Sequence, residues 1–427
     1  MGYDYHKWEK LDNTANVFPV IADEQTTNTY RIEALMTEPV NPTLLQNALD
    51  LVLPKFPGFD LRMRSGIFWY YMEENGKPAP LVYEENDYPC RFIHHGNKNN
   101  NYMFRVSYYK NRINLEVFHV LADGMGGLTF LRELCYHYLR LLHPEIKEKL
   151  GDGLSPETSL NREDSFKANF RRRANSTYKV KRAFLISGER LPYGGFGLIH
   201  GSMPIQQLKA ASKRYGGSIN EYLVSTFVAG TYHRFGRGVS AKRPIRVAVP
   251  VNLRPYFGSI TTKNFFVMVS AEFYPDSEGR DYTFKEIFDV IQHSLKTQIT
   301  KEHLEEIFSY NVANEDFFLA RAVPLPIKNL AIRIIYTKSA LANTTTLTNV
   351  GNVTVLDEYK PYIKLFRGYI PFSKGQELKC TVMSYLDTLT LSITSAYVDN
   401  AIPKYIFRQL AADGIPVQIE TNGVYYK

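Results

Sequence analysis

The segment His119-Val-Leu-Ala-Asp123-Gly124 contains the residue types that a proton-transfer site needs. Removing a proton from an attacking hydroxyl or amine requires a base whose pKa lies near the operating pH, and histidine, at about 6.5, meets that requirement. Asp123 is placed to hold the following bend by pairing with an arginine and capping the next helix. Gly124 has no side chain where a narrow cofactor arm would have to pass the backbone. His119, Asp123 and Gly124 are therefore the candidate catalytic residues.

Two local elements are expected to place His119 at the end of a strand. Residues 102–109 and 112–118 are rich in aromatic and β-branched residues, and Lys110-Asn111 between them is typical of a hairpin turn. A glycine-rich bend at 123–127 and a helix from about residue 128 to 142 should follow. A histidine in this position can project into a cleft between layers of the fold.

The rest of the chain mixes helix and strand signals, which predicts an α/β (α+β) fold. Asn41-Pro42 supplies a cap and a first-turn proline for one helix. Capping boxes at Ser218 and Glu221 and at Thr283 and Glu286 predict two more helices. Ser202 and Pro204 are expected to begin another helix, and a last one is expected at 403–410. The other expected strands are 29–36, 68–73, 198–203, 246–251, 264–274, 353–356, 378–384 and 388–395.

Length predicts two domains, because 427 residues exceed the size at which one hydrophobic core keeps growing. Residues from about 147 to 190 are polar, basic and poor in periodicity, which favours a boundary there. We expect an N-terminal domain at 1–165 carrying the histidine segment, a basic linker at 166–190, and a C-terminal domain at 191–427.

Composition argues against several other classes of protein. Much of the excess positive charge lies at 167–182 without a recognisable nucleic-acid module, so phosphates of a small cofactor or a solvated linker explain it better. The sequence contains no run of 18 apolar residues, so no membrane-spanning helix is expected. The cysteines are three and widely spaced, and His94-His95 lacks further ligands, so we expect no disulfide framework and no metal. A reducing, cytoplasmic location fits this pattern.

The histidine segment resembles the HxxxDG motif of the coenzyme A-dependent acyltransferase superfamily, and other segments resemble that superfamily in the same order. Leu61-Arg62 is similar to the LR pair of condensation domains. Residues 208–221 look like the stretch that opens the second half of these proteins. Pro250-Val-Asn-Leu-Arg254 is similar to the PVxLR segment of wax ester synthases, and Thr348-Asn349-Val-Gly351 to the (S/T)NxG element. The resemblance covers nearly the whole chain.

This resemblance implies a two-domain, chloramphenicol acetyltransferase-like fold with a tunnel at the domain interface. Acyl-coenzyme A and the acceptor would enter from opposite faces and meet at His119. Asp123 would be structural and paired with an arginine, for which Arg62 is the first choice and Arg64 and Arg254 are the alternatives. Thr348 or Asn349 would donate a hydrogen bond to the tetrahedral oxyanion.

The implied activity is transfer of an acyl group from acyl-coenzyme A to a hydroxyl or amine of a small molecule. His119 would act as general base in a ternary complex, without a metal. Condensation domains usually carry a second histidine before the motif, where this chain has Phe118, so an O-acyltransferase resembling alcohol acetyltransferases is favoured. Two alternatives stay open. In the first, the acyl donor is bound to a carrier protein that docks on the basic stretch. In the second, the protein is a non-catalytic binding module with the same fold.

Overall fold

The computed structural model describes residues 8–93, 99–147, 163–171, 181–192, 195–276, 279–315 and 323–425, which form three β-sheets and flanking helices. The strands are β1 Trp8–Lys10, β2 Thr29–Met36, β3 Leu61–Ser65, β4 Tyr70–Glu74, β5 Tyr83–Glu84, β6 Phe104–Tyr109, β7 Arg112–Phe118, β8 Gly197–Pro204, β9 Ile245–Asn252, β10 Phe266–Phe273, β11 Thr345–Val353, β12 Ile363–Tyr369, β13 Leu378–Tyr385, β14 Thr388–Ser395 and β15 Gln418–Thr421. The α-helices are α1 Phe18–Ile21, α2 Pro42–Val52, α3 Gly124–Leu142, α4 Ser165–Ala168, α5 Ile205–Arg214, α6 Ile219–Phe235, α7 Arg254–Phe257, α8 Phe284–Gln298, α9 Lys301–Glu315, α10 Leu325–Ala340 and α11 Ala401–Ala412. The mixed α/β (α+β) prediction is confirmed.

A five-stranded sheet in the order β12-β2-β7-β6-β5 carries the histidine segment. Strands β6 and β7 form the predicted hairpin, in which Lys110 takes a left-handed backbone conformation with φ 52°. Helices α2 and α3 pack together beside this sheet, and the rings of Phe59 and Phe130 stack with centroids 4.2 Å apart in its core. Asn41 caps α2 as predicted, its side chain accepting from the Leu44 N–H.

A seven-stranded sheet in the order β10-β9-β11-β13-β14-β8-β15 forms the second half. Strand β11 runs parallel to both β9 and β13, whereas the other neighbouring pairs are antiparallel. Both predicted capping boxes are present, at the starts of α6 and α8. Helix α6 is buried along most of its length because α8, α11 and strand β9 surround it.

One strand crosses the predicted division of the chain. Strand β12 pairs antiparallel with β2, so residues 363–369 extend the first sheet although they lie far into the expected C-terminal domain at 191–427. Their apolar side chains belong to the first core, in which Ile363 and Phe366 are buried. The expectation of a continuous C-terminal unit is therefore wrong at this strand. The other proposed domain limits stay predictions.

Several predicted boundaries shift. Helix α3 begins at Gly124 and not near Leu128, because the Asp123 side chain accepts from the N–H groups of Met125 and Gly126 and so caps a helical first turn. Helix α5 has Pro204 at its cap position and no side-chain cap from Ser202. The strand predicted at 353–356 is wrong except for Val353, the last residue of β11, since residues 354–356 belong to no strand. Helices α9 and α10 were not predicted, since their apolar residues follow no clear helical period.

Some of the sequence predictions fall outside the described residues. They are the His94-His95 pair and residues 172–180, the middle of the basic linker predicted at 166–190. At the near end of that linker Phe166 is buried in the second core, so this part is packed against the fold. No helix in the described ranges is both long and apolar enough to cross a bilayer.

Candidate active site

His119 lies one residue beyond strand β7, where its N–H donates to the carbonyl of Asn28 over 2.9 Å. Its ring stacks on Phe18, with centroids 4.5 Å apart, and meets the edge of Tyr30 at 5.2 Å. The ring of Phe266, from the second half of the chain, lies 5.6 Å away. The imidazole is thus held between aromatic side chains of both halves and is partly exposed.

A hydrogen-bonded chain fixes which nitrogen of His119 carries the proton. The Asn264 Nδ2 donates to Asp12 Oδ2 over 3.0 Å and to the carbonyl of His119 over 3.2 Å. Because both partners are acceptors, the opposite end of the amide, Oδ1, must face the ring, and it lies 2.9 Å from His119 Nδ1. An amide oxygen only accepts, so Nδ1 is the protonated nitrogen. The lone pair is left on Nε2.

The surroundings of His119 keep it neutral. Burial of the ring lowers its pKa below the usual 6.5, which outweighs the opposite influence of Asp123 and the hydrogen bond to Asn264. Burial also raises the pKa of Asp12 to about 7, although the hydrogen bonds from Ala15 and Asn264 oppose that shift. At neutral pH the ring therefore has an available base at Nε2.

Asp123 is buried and pairs with Arg254, which was one of the two alternatives to Arg62. The guanidinium donates from both terminal nitrogens to the carboxylate, over 2.8 and 3.0 Å. The carboxylate also accepts from the N–H of Phe265 over 3.0 Å. Asp123 therefore connects the start of α3 to the second half of the chain, which is a positioning role for this residue.

Arg62, the first choice as partner of Asp123, lies elsewhere. It occupies β3, where its cross-strand neighbour on β4 is Glu73, and it forms an ion pair with that carboxylate over 2.6 Å. Arg64 contacts the same carboxylate. The prediction of Arg62 was wrong because a nearby strand supplies both arginines with an acidic partner.

The glycines after Asp123 allow the close approach of two segments. A Cβ at Gly126 would lie 2.1 Å from the carbonyl oxygen of Thr262, and one at Gly127 would lie 2.5 Å from the hydroxyl of Tyr30. At Gly124, in contrast, the nearest atom would be 3.7 Å away, on Val350. Gly124 lines the cavity described next, whereas Gly126 and Gly127 permit packing.

A cavity of about 370 Å³ lies between the two halves of the chain and contains His119, Asp123 and Gly124 in its wall. One face of the seven-stranded sheet forms its floor. Along each of these strands, side chains alternate between the cavity and the core beneath the helices. The cavity-facing members are Ala248, Pro250, Asn252, Phe266, Met268, Thr346, Thr348 and Lys379.

Thr348 and Asn349, the oxyanion candidates, both line this cavity. They lie inside strand β11, just before an irregularity in its pairing with β13, and not in a turn at a strand end. The Asn349 Oδ1 accepts from the N–H of Gly351 over 2.9 Å. The hydroxyl of Thr348 has no hydrogen bond to any described residue, and it lies on the same cavity-facing side of β11 as Thr346. We therefore favour Thr348 as the donor over Asn349, which is exposed and whose amide is held beside its own strand.

Three residues of this site were missed in the sequence. Asn264 precedes β10 and Asp12 lies near the N-terminus, and no motif or spacing connects either of them with His119. Lys379 did carry a signal, since it is a charged residue between the apolar Leu378 and Cys380 of a predicted strand. That alternation indicates that the lysine lies on the sheet face away from the core. It does not indicate which part of the protein covers that face.

The described residues contain no cluster of three or more histidine, cysteine, aspartate or glutamate side chains suited to a metal. Cys90, Cys135 and Cys380 are buried free thiols, and burial raises the pKa of each. A thiol held in its neutral form is a poor nucleophile, so these cysteines offer no covalent route for the chemistry of the cavity.

No protein-family model matches the chain, and no curated protein matches it. Solved structures do. Polyketide synthase associated protein 5 from Mycobacterium tuberculosis is 14% identical, with a TM-score of 0.59 over 95% of this chain and 97% of its own. TRI101 of F. sporotrichioides, solved with coenzyme A and T-2, is 12% identical, with a TM-score of 0.60 over 96% and 99%. The first condensation domain of the calcium-dependent antibiotic synthetase, solved with a substrate analogue, is 12% identical, with a TM-score of 0.59 over 97% and 100%.

These likenesses extend over nearly the whole of each chain and establish the fold. The chain has the two-domain architecture shared by condensation domains and by a protein solved with bound coenzyme A. The resemblance predicted from the sequence is therefore confirmed for the fold alone.

Proposed function

We propose that this protein transfers an acyl group from acyl-coenzyme A to a hydroxyl or amine of a small molecule, with His119 as general base. The observation that carries the proposal is the tautomer of His119. Its Nδ1 donates to Asn264, so the basic Nε2 is the free nitrogen in a cavity that both halves of the chain line. The fold shared with a structure that contains coenzyme A supports the choice of donor.

The reaction needs no covalent acyl-enzyme. Nε2 accepts the proton of the hydroxyl as its oxygen bonds to the thioester carbonyl carbon, and the Thr348 hydroxyl donates to the developing oxyanion. The tetrahedral intermediate then collapses, the C–S bond breaks, and the imidazolium returns its proton to the leaving sulfur. Asp123 and Arg254 hold the segment that carries His119, and they take no proton.

The direct test combines thiol release with mass spectrometry of the products. The purified chain is incubated with acyl-coenzyme A donors of increasing chain length and a panel of alcohols and amines. His119→Ala should retain the fold and lose turnover by a factor of about 100 or more. His293→Ala, which removes an exposed histidine on α8, is the matched control and should remain active. Full activity of His119→Ala would refute the proposal.

A carrier-bound acyl donor is the second candidate, favoured by the fold that the chain shares with condensation domains. The same acyl group is therefore offered both on coenzyme A and on an acyl carrier protein. Turnover with the carrier alone would replace the first proposal by the second. Absence of turnover with every donor, together with tight binding of a partner, would instead support a non-catalytic module.

A further inference from the structure

Lys379 stands apart from the other charged groups of the cavity. It lies on β13 and points to the same face of the sheet as Thr381, while Leu378 and Cys380 belong to the core on the other face. It lines the same cavity as His119, and its side chain is partly exposed there. An ammonium group is thus presented to the space in which the substrates of the proposed reaction would meet.

No described residue neutralises this ammonium group through a hydrogen bond or an ion pair. Glu377, whose carboxylate has an electrostatic influence on Lys379, is engaged by Arg190 over 2.8 Å and by the N–H of Gly375 over 3.1 Å. The other charges in the cavity wall, Asp123 and Arg254, compensate each other. Lys379 therefore contributes an uncompensated positive charge to the cavity.

The surroundings of Lys379 and His119 lower the pKa values of both groups. Burial lowers the pKa of Lys379 to about 8, which leaves it mostly protonated at pH 7. Its charge also lowers the pKa of His119, so the two groups are near neighbours electrostatically. A cation that is largely withdrawn from solvent and has no partner is unfavourable, and an anionic ligand would reduce that penalty.

We propose that Lys379 binds a carboxylate carried by one of the reacting molecules, so that the enzyme selects an acidic acceptor or a dicarboxylic acyl chain. This inference rests on the proposed acyl transfer. The phosphates of coenzyme A do not fit the role, because the pantetheine arm keeps them far from the thioester, which must lie at His119. The carboxylate therefore belongs to the acceptor or to the acyl group, and it orients that molecule toward Nε2.

The experiment compares matched ligands that differ in one carboxylate. For the acceptor, 3-phenyllactate is compared with its methyl ester; for the donor, succinyl-coenzyme A is compared with butyryl-coenzyme A. Dissociation constants are measured by calorimetry for the wild type, for Lys379→Met and for Lys374→Met. Lys374 is an exposed lysine of the preceding loop and does not line the cavity, which makes its variant the matched control.

In at least one pair the wild type and Lys374→Met should bind the acid more tightly than its uncharged partner. Lys379→Met should weaken binding of that acid by about 10-fold to 100-fold, the usual value of a charge-assisted hydrogen bond, and change the uncharged ligand by less than about 2-fold. The pair that responds identifies the acceptor or the donor as the source of the carboxylate. Lys379→Arg, which keeps the cation, should retain the preference and covers the case in which the methionine variant does not fold.

Three results would overturn the proposal. The first is equal binding of acid and uncharged partner by the wild type in both pairs. The second is a preference that survives in Lys379→Met, and the third is a uniform loss of affinity for all four ligands in that variant. Because binding is measured without turnover, the assignment of Lys379 is judged separately from catalysis. If the wild type prefers the acid but releases no thiol, the role of Lys379 is supported and the acyl transfer is rejected. If it releases thiol but does not prefer the acid, the acyl transfer is supported and the role of Lys379 is rejected.

Discussion

Arg254 and Asp123 are separated by 131 residues in the chain and form a bidentate ion pair next to the segment that carries His119. The remaining guanidinium donors are also used, since Arg254 contacts the carbonyls of Thr261 and Lys263 over 2.8 and 2.7 Å. A single side chain thus fixes the loop before β10 and the start of α3 to each other. The position of the candidate base depends on that connection.

Removing this connection should be costly. Arg254→Gln leaves the Asp123 carboxylate buried without its cation, which we expect to destabilise the protein by about 3 to 5 kcal/mol. Chemical denaturation measures the change. Arg62→Gln is the control, because its ion pair with Glu73 lies at a partly exposed site and is worth about 1 kcal/mol or less. Equal losses in the two variants would contradict the structural role of Arg254.

The contact between Asn264 and His119 should control activity more than affinity. Asn264→Ala frees the imidazole to change tautomer and orientation, and we expect kcat to fall by about 10-fold, corresponding to about 1.4 kcal/mol, with little change in KM. Asn343→Ala is the control, since Asn343 lines the same cavity but bonds to Ser270. A rise in KM alone would show that Asn264 binds substrate and does not position the base.

The hydroxyl of Thr348 should matter at the transition state. Thr348→Val keeps the shape and removes the donor, so kcat should fall by about 100-fold, as for other single oxyanion donors. Thr348→Ser should stay close to the wild type. Asn349→Ala should change kcat by less than about 3-fold, because the bond from the Gly351 N–H holds the exposed Asn349 amide beside its own strand and away from the oxyanion. If the larger loss follows Asn349→Ala, the oxyanion role belongs to that residue.

The pH profile should report the depressed pKa of His119. Below that pKa the ring is protonated and cannot act as a base, so kcat/KM should be constant near pH 7 and decline only below 6.5. The unfolded chain binds this proton more readily than the folded chain, so acid should also reduce stability over the same range. Thermal melts at each pH separate the two effects. An acidic limb centred above pH 7 would exclude His119 as the titrating base.

The two neighbouring glycines should respond differently to a methyl group. Gly126→Ala brings Cβ against the carbonyl of Thr262, and we expect a loss of about 1 to 3 kcal/mol or more from the displaced backbone. Gly124→Ala meets only an ordinary contact with Val350 and should leave stability nearly unchanged while narrowing the cavity. Comparing the stability and activity of the two variants distinguishes a glycine needed for packing from a glycine that leaves room for the substrate. Comparable melting temperatures would show that the backbone adjusts at Gly126.

The sequence by itself determined the local elements. The hairpin that delivers His119, the Asn41 cap, and the capping boxes at Ser218 and Thr283 were predicted because each depends on residues a few positions apart. The motif at 119–124 likewise indicated the candidate base and the capping role of Asp123. Turn chemistry and side-chain period act over such short distances and can be recognised along the chain.

Only the tertiary structure decided the partners. Asn264 lies 145 residues from His119, and Arg254 was not distinguishable from Arg62 until the strands around each were placed. The pairing of β12 with the first sheet and the exposure of Lys379 to the cavity were likewise decided by contacts between distant segments of the chain. Pairings of this kind are selected by which faces the folded sheets bring together, and residue spacing along the chain does not encode that choice.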